Sequence, residues 1–294
     1  MRVLVMLVLC VACGTTARTP VLAVRFANAV GGGDVGGWFA PDARITVVGD
    51  PRERRDPVAA LRAIHAGFAK ARISIGRIWT DRPGTTAVIE IVFTGRRGAR
   101  DVGVAGAAVV TFASERVTAV RLYLDLVTVI GQLDPTRLPE KTEIRGIEPP
   151  PATGVVVATG AAVEATNLTV TNEIWAGLDA HDADRAMASA SPDYRYVDYA
   201  APKVLDREGT RALVAGFVTA VTNFRISAKP VQFAAGDFVI TEMVEQAGLA
   251  GKPLVLHGLD IKRFVAGHVV EEWQYSNYFE ILAAFRGIAV PELP

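Results

Sequence analysis

The body of this chain has no thiol. Its two cysteines, Cys10 and Cys13, both lie in the first turn-lengths of sequence. A disulfide, a cysteine-ligated zinc and a cysteine nucleophile are therefore excluded from the folded part. Excess charge of one sign is also lacking: 31 Lys plus Arg face 31 Asp plus Glu. A balanced, dispersed charge set gives no electrostatic footprint for nucleic acid and no pull toward an anionic membrane. The one local cluster, Arg52-Glu53-Arg54-Arg55-Asp56, reads as a solvated loop before a helix. Histidine is scarce, four in 294 residues, and no two sit at metal-ligand spacing. His65 reads as a packing residue, and His181 and His268 as solvated turn residues. Gly31-Gly32-Gly33 lacks the lysine and the strand-to-helix setting of a phosphate loop. No cofactor and no metal are expected.

What is present begins with Val3 to Ala12, an unbroken apolar run after Met1-Arg2. Ten residues rise only about 15 Å as a helix, half of a bilayer core. The run is expected to be the hydrophobic region of a signal peptide and not a span. Cys13 follows where the run stops, in a setting that resembles a bacterial lipobox, although Cys10 stands where that pattern usually has Leu. Residues 1–13 are thus expected to be a signal peptide with Cys13 as the lipidated first residue of an exported, membrane-anchored protein. Gly14 to Pro20 would begin its leash. The alternative is ordinary cleavage after Ala17 or Ala23 and release of a periplasmic or secreted protein.

Half of the residues are hydrophobic, enough for two domains with cores of their own. Self-comparison supports two. Phe39-Ala40-Pro41-Asp42-Ala43-Arg44 returns as Ala190-Ser191-Pro192-Asp193-Tyr194-Arg195, and Val104 to Phe112 aligns with Leu256 to Phe264. Without a gap, Val117 then falls on Val269 and Tyr123 on Tyr275. The offset stays at 151 to 152 residues. Between the copies, Pro139 and Pro149-Pro150-Pro151 mark an extended linker. The expected domains are 22–134 and 161–287, joined by residues 135–160.

Each copy runs from helices to strands. Ile174, Trp175 and Leu178 recur at helical spacing within 170–180. Asp56-Pro57 and Asp206 read as caps, the first followed by Pro at the first helical position. The stretches 225–233, 238–246, 253–265 and 268–278 are rich in β-formers and separated by Gly turns. Helices followed by an antiparallel meander make an α+β pattern, with the helices on one face of a sheet.

The second copy resembles the SnoaL-like polyketide cyclases of the nuclear-transport-factor-2-like superfamily. The resemblance runs from Val163 to Gly287 and is sharpest from Gly258 to Trp273, similar to the family's last hairpin: an Arg-Phe strand, a Gly turn and a Glu-x-Trp strand. The first copy, more degenerate, keeps Tyr123-Leu124-Asp125 and Ile130-Gly131-Gln132-Leu133. The resemblance implies two tandem cone-shaped domains, each a curved antiparallel sheet wrapped by N-terminal helices around an apolar pocket. It implies cofactor-independent chemistry where there is chemistry at all, with one carboxylate moving a proton. It also admits dimers formed through the sheet, hence an internal pseudo-dimer or a homodimer. Fold alone grants no reaction.

Side chains alternate along a strand. Glu271, Trp273, Tyr275 and Asn277 share one face of the last strand, and the two aromatics suggest that this face points inward. Its counterpart carries Ala119, Arg121, Tyr123 and Asp125. The acid/base Asp of the resemblance falls on Asp125, and Asp260 is the candidate in the second copy; either can instead be structural. The expected ligand-binding residues are Arg121, Tyr123, Tyr196, Asp198, His257, Trp273, Tyr275 and Asn277. His257 and Asp260, three apart, should face opposite ways. The expected partner is a small apolar molecule, unidentified, with no nucleic acid and a membrane only through the lipid anchor. A cyclase or isomerase using a pocket Asp, and an assembly module, are the alternatives.

Overall fold

The computed structural model describes residues 18–50, 53–139, 142–148, 152–201, 203–276 and 280–281. Two six-stranded sheets follow one another along the chain. The first part comprises α1 (Arg18–Gly32), β1 (Phe39–Val47), α2 (Pro57–Gly67), β2 (Ala69–Thr80), β3 (Thr86–Arg97), β4 (Arg100–Ala113), β5 (Arg116–Leu124) and α3 (Leu126–Leu133). After β6 (Gly154–Val157) come α4 (Ala162–Asp179), α5 (Ala183–Ala186), β7 (Ala190–Asp198), β8 (Val204–Asp206) and α6 (Arg207–Ala220). The chain continues with β9 (Thr222–Ala235), β10 (Phe238–Leu249), β11 (Lys252–Val265) and β12 (His268–Ser276). Fold class is α+β, with two tandem cone-like domains.

Local signals fix these elements. Asp56 accepts a hydrogen bond from the Ala59 N–H and opens α2, with Pro57 at the first helical position. Asp206 does the same for α6 through the Gly209 N–H. The helix expected from residue 170 begins earlier, at Ala162. Its start is held by Glu164, whose carboxylate accepts from the N–H groups of Thr159, Gly160, Ala161 and Gly236. Those four donors hold its pKa below the usual glutamate value against the opposing effect of burial. Gly177 lets α5 lie on α4, since a Cβ there would stand 2.5 Å from the Ala186 nitrogen.

The sheet orders are β1-β5-β4-β3-β2-β6 and β8-β7-β12-β11-β10-β9. The four long strands of each domain form the antiparallel meander read from the sequence, while β1 on β5 and β7 on β12 pair parallel. The registers repeat: Ile45 faces Val120 as Tyr196 faces Glu272, and Ala108 faces Leu122 as Asp260 faces Gln274. Two features depart from expectation. Residues 154–157 of the stretch read as linker form β6, parallel to β2 through Ile78↔Val155 and Trp79↔Val156. Arg18 to Pro20, expected in a leash, belong to α1, whose Ala23, Phe26 and Ala27 are buried in the first core.

Each domain has its own apolar cluster between sheet and helices. A third cluster is shared. Trp79, Val88, Ala107, Val109 and Tyr123 of the first sheet pack on Phe233, Ile240, Leu259, Ile261, Trp273 and Tyr275 of the second. The two sheets thus meet back to back, and neither sheet has a solvated face in this region. Two carboxylates are buried in that layer, at positions equivalent by the repeat. Tyr275 Oη donates to Glu90 at 2.8 Å, and Tyr123 Oη donates to Glu242 at 2.8 Å. The exchange is reciprocal, but the cations are not. Arg77 clasps Glu90 at 2.7 and 3.0 Å, and Arg121 clasps Glu242 with two N–H donors. Both arginines come from the first domain. The Arg77 guanidinium also lies 4.1 Å over the Trp273 ring.

A buried carboxylate that loses its cation retains the whole desolvation penalty. Arg121→Ala is therefore expected to destabilise the chain by about 3 kcal/mol, the low end of the range because Arg121 is partly exposed. Arg116→Ala, on the exposed start of the same strand, is expected to cost less than about 0.5 kcal/mol. Urea unfolding of the two variants checks the difference.

Candidate functional site

Between sheet and helices of the second domain lies a cavity of about 170 Å³. Its wall is largely apolar, built by Ile174, Trp175 and Leu178 of α4, Phe217 of α6, Phe224 of β9 and Met243 of β10. Its polar groups come from the sheet: Tyr194, Tyr196 and Asp198 of β7, Glu245 of β10, His257 of β11, and Glu272, Gln274 and Ser276 of β12. The first domain has a smaller cavity of about 80 Å³ in the same place, and every residue lining it is apolar.

The repeat makes the contrast residue by residue. Where the second domain has Tyr194, Tyr196, Asp198, Glu245, Glu272 and Gln274, the first has Ala43, Ile45, Val47, Phe93, Val120 and Leu122. Under the floor, Asp260 and Lys262 replace Ala108 and Val110. One copy carries polar and charged side chains at these positions and its sibling only apolar ones.

The floor of the second cavity rests on a buried charge cluster. The Lys262 ammonium has no solvent exposure and lies 2.7 Å from Asp260, 3.0 Å from Glu272 and 4.0 Å from the Trp175 ring centre. Tyr194 Oη donates to Glu272 at 2.6 Å, and Tyr196 Oη to Gln274 at 2.5 Å. Burial drives the Asp260 pKa well above the ordinary carboxylate value, and the neighbouring Glu272 adds to it. Glu272 stays below its usual value because Lys262, Asp260 and Tyr194 favour its charged form more than burial opposes it.

At the open side the chemistry differs. Burial lifts the half-buried Glu245 carboxyl to about 7, helped by the negative charges of Glu280, Asp179 and Asp198. No hydrogen bond or close ion pair reaches its carboxylate among the described residues. His257 Nδ1 lies 2.8 Å from Glu280, and this contact raises the imidazole pKa. A carboxyl that titrates near neutrality beside an apolar wall can take up or release a proton, or pair with a cation.

The residues singled out from sequence are distributed unevenly. Tyr196 and Asp198 stand in the cavity wall, and His257 is at its rim. Trp273 and Tyr275, expected to point inward, lie on the opposite face, in the layer between the sheets, as do Tyr123 and Arg121. The reasoning from aromatics failed because both faces of this sheet are buried, so an aromatic face is no sign of the pocket. Asp125 does not line either cavity. It caps α3, accepting from the Val127 N–H, and burial raises its pKa. Asp260 is not in the wall either; it sits beneath the floor, ion-paired to Lys262. Asn277 and Cys13 lie outside the described residues. Glu245 and Glu272 were missed. The signal that could have found them was the repeat itself: Phe93 becomes Glu245 and Val120 becomes Glu272, charged residues at positions whose counterparts are apolar.

A family comparison agrees with the reading of the second domain. Residues 172–272 match the SnoaL-like domain family, so the second domain is a SnoaL-like domain. No curated protein matches the chain. Among solved structures, AclR from Streptomyces galilaeus is similar at 19% identity and a TM-score of 0.40, over 43% of this chain and 99% of that one. An LEH-like epoxide hydrolase of M. tuberculosis shares 15% identity with a TM-score of 0.37, over 43% and 91%. An NTF2-like protein of unknown function from Burkholderia pseudomallei shares 16% with a TM-score of 0.37, over 40% and 96%.

The first domain supplies the control for the charge cluster. Lys262→Met leaves two buried carboxyls without a cation and is expected to cost about 3–5 kcal/mol. The triple change D260A/K262V/E272V copies Ala108, Val110 and Val120, and is expected to regain most of that loss, because a packed apolar replacement of a buried ion pair is often neutral. Equilibrium unfolding of both variants tests this; a triple variant as unstable as the single one refutes it.

Proposed function

We propose that the chain is a binding protein that holds one small, mostly apolar molecule in the cavity of its second domain. The carrying observation is the asymmetry between the copies. Two cavities share one architecture, but only the second is larger and furnished with polar groups at positions where the first is apolar. Stability does not require those groups, since the first domain closes the same fold without them. A volume of about 170 Å³ suits a single-ring compound, by analogy with engineered apolar cavities of about 150 Å³ that take up benzene. Neither Asp125 nor Asp260, the acid/base groups expected from the sequence, lines the cavity. The first domain then serves as the partner that covers the back of the second sheet.

Toluene or benzyl alcohol should accordingly bind with one site per chain. Val214→Trp, which fills the cavity from α6, should abolish that site while the far-UV circular dichroism stays unchanged. Binding that survives this change removes the second cavity as the site.

We also propose export and lipid anchoring through Cys13. The place of α1 supports a mature start upstream of it: cleavage after Ala23 would cut a helix whose Phe26 and Ala27 are core residues. The mass of the mature N-terminus measured from the native host decides between the alternatives. An acylated Cys13 is the expected result, and a start at Arg18 without lipid would refute anchoring.

A further inference from the structure

The ligand class can be narrowed from the charges around the cavity, on the footing that the second cavity is the binding site. We propose that its ligand is a small amine: an ammonium group paired with Glu245 and an apolar body lying against Phe217, Phe224 and Met243.

Three observations carry this. First, acids outnumber bases on this side of the cavity. Asp179 at the end of α4, Asp198 at the end of β7 and Glu280 after β12 all act on Glu245, which lies on β10. Second, the nearby cations are already engaged. Lys262 is enclosed by Asp260 and Glu272, and His257 by Glu280. Glu245 alone lines the cavity as a carboxylate without hydrogen bond or close ion pair among the described residues. Third, the walls next to it are aromatic and polarisable. Phe217 and Phe224 meet edge to face at 5.2 Å, and a ring face or a thioether beside a cation stabilises it further. An anionic ligand would meet Glu245, Asp198 and Glu272 together, and a neutral one would leave Glu245 unpaired.

Pairing requires the ionised form of Glu245, whose pKa lies at about 7. An amine that stays cationic across the range should therefore bind more tightly as pH rises from about 5.5 to about 8, and its binding should release a proton near neutrality.

Benzylamine, benzyl alcohol and benzoate are matched probes for calorimetric titration of the full chain. At about pH 8 benzylamine should bind about tenfold or more tightly than benzyl alcohol, and benzoate should not bind. Glu245→Gln should remove the amine's advantage over benzyl alcohol and its pH dependence. The pH series on the unaltered protein tests the pairing even if that variant is poorly folded. Equal affinity for amine and alcohol, with no pH dependence, would overturn the amine assignment and leave the cavity as a site for neutral molecules. Failure of all three probes and of toluene would overturn the binding reading itself.

Discussion

Everything in this molecule depends on the closure of two apolar sheet backs against one another. Each sheet uses its concave face for its own helices and cavity. The other face carries Trp79, Val88 and Val109 in one domain, and Ile240, Leu259, Ile261 and Trp273 in the other, all buried. Such a face has no stable existence in water: each large side chain in it represents about 1.5–3 kcal/mol of burial. The reciprocal bonds Tyr123 to Glu242 and Tyr275 to Glu90 then fix how the faces meet, since a shift of register would strip Glu242 of both Tyr123 and Arg121 and Glu90 of Tyr275. Greasy area supplies the adhesion, and the tyrosine–glutamate exchange supplies the address.

That constraint explains what the sequence conveys and what it conceals. The repeat, the helix caps at Asp56 and Asp206, the meander and its Gly turns are all local or pairwise signals, and they are legible. So is the likeness of the second copy to SnoaL-like domains, which a family match supports over residues 172–272. Which face of β12 meets the cavity is not legible from alternation alone. Alternation separates Trp273 and Tyr275 from Glu272 and Gln274 but assigns neither set a direction. The ordinary rule, apolar inward and polar outward, inverts here: the polar set looks into the cavity and the aromatic set into the other domain. Asp125 illustrates a related limit. A carboxylate at a strand end preceding a helix can be an acid/base group or a cap, and only the hydrogen bond to the Val127 N–H separates the two.

The buried cluster of Asp260, Lys262, Glu272 and Tyr194 is costly to desolvate, and the first domain shows that the fold does not need it. Its geometry nevertheless fixes Glu272 and Trp175, which form floor and wall of the cavity. A feature that is dispensable to folding and concentrated beneath one of two sibling hollows positions the surfaces of that hollow.

Fusion of the two copies has a consequence of its own. A pair of separate subunits joined by a sheet-to-sheet face comes apart on dilution, because its association is second order. Here the segment that ends in β6 keeps the halves on one polypeptide, so their association is first order and indifferent to abundance. It also releases them from sameness. In a homodimer any substitution is made twice, once in each hollow; in this chain one half can be rewritten for support while the other stays specialised.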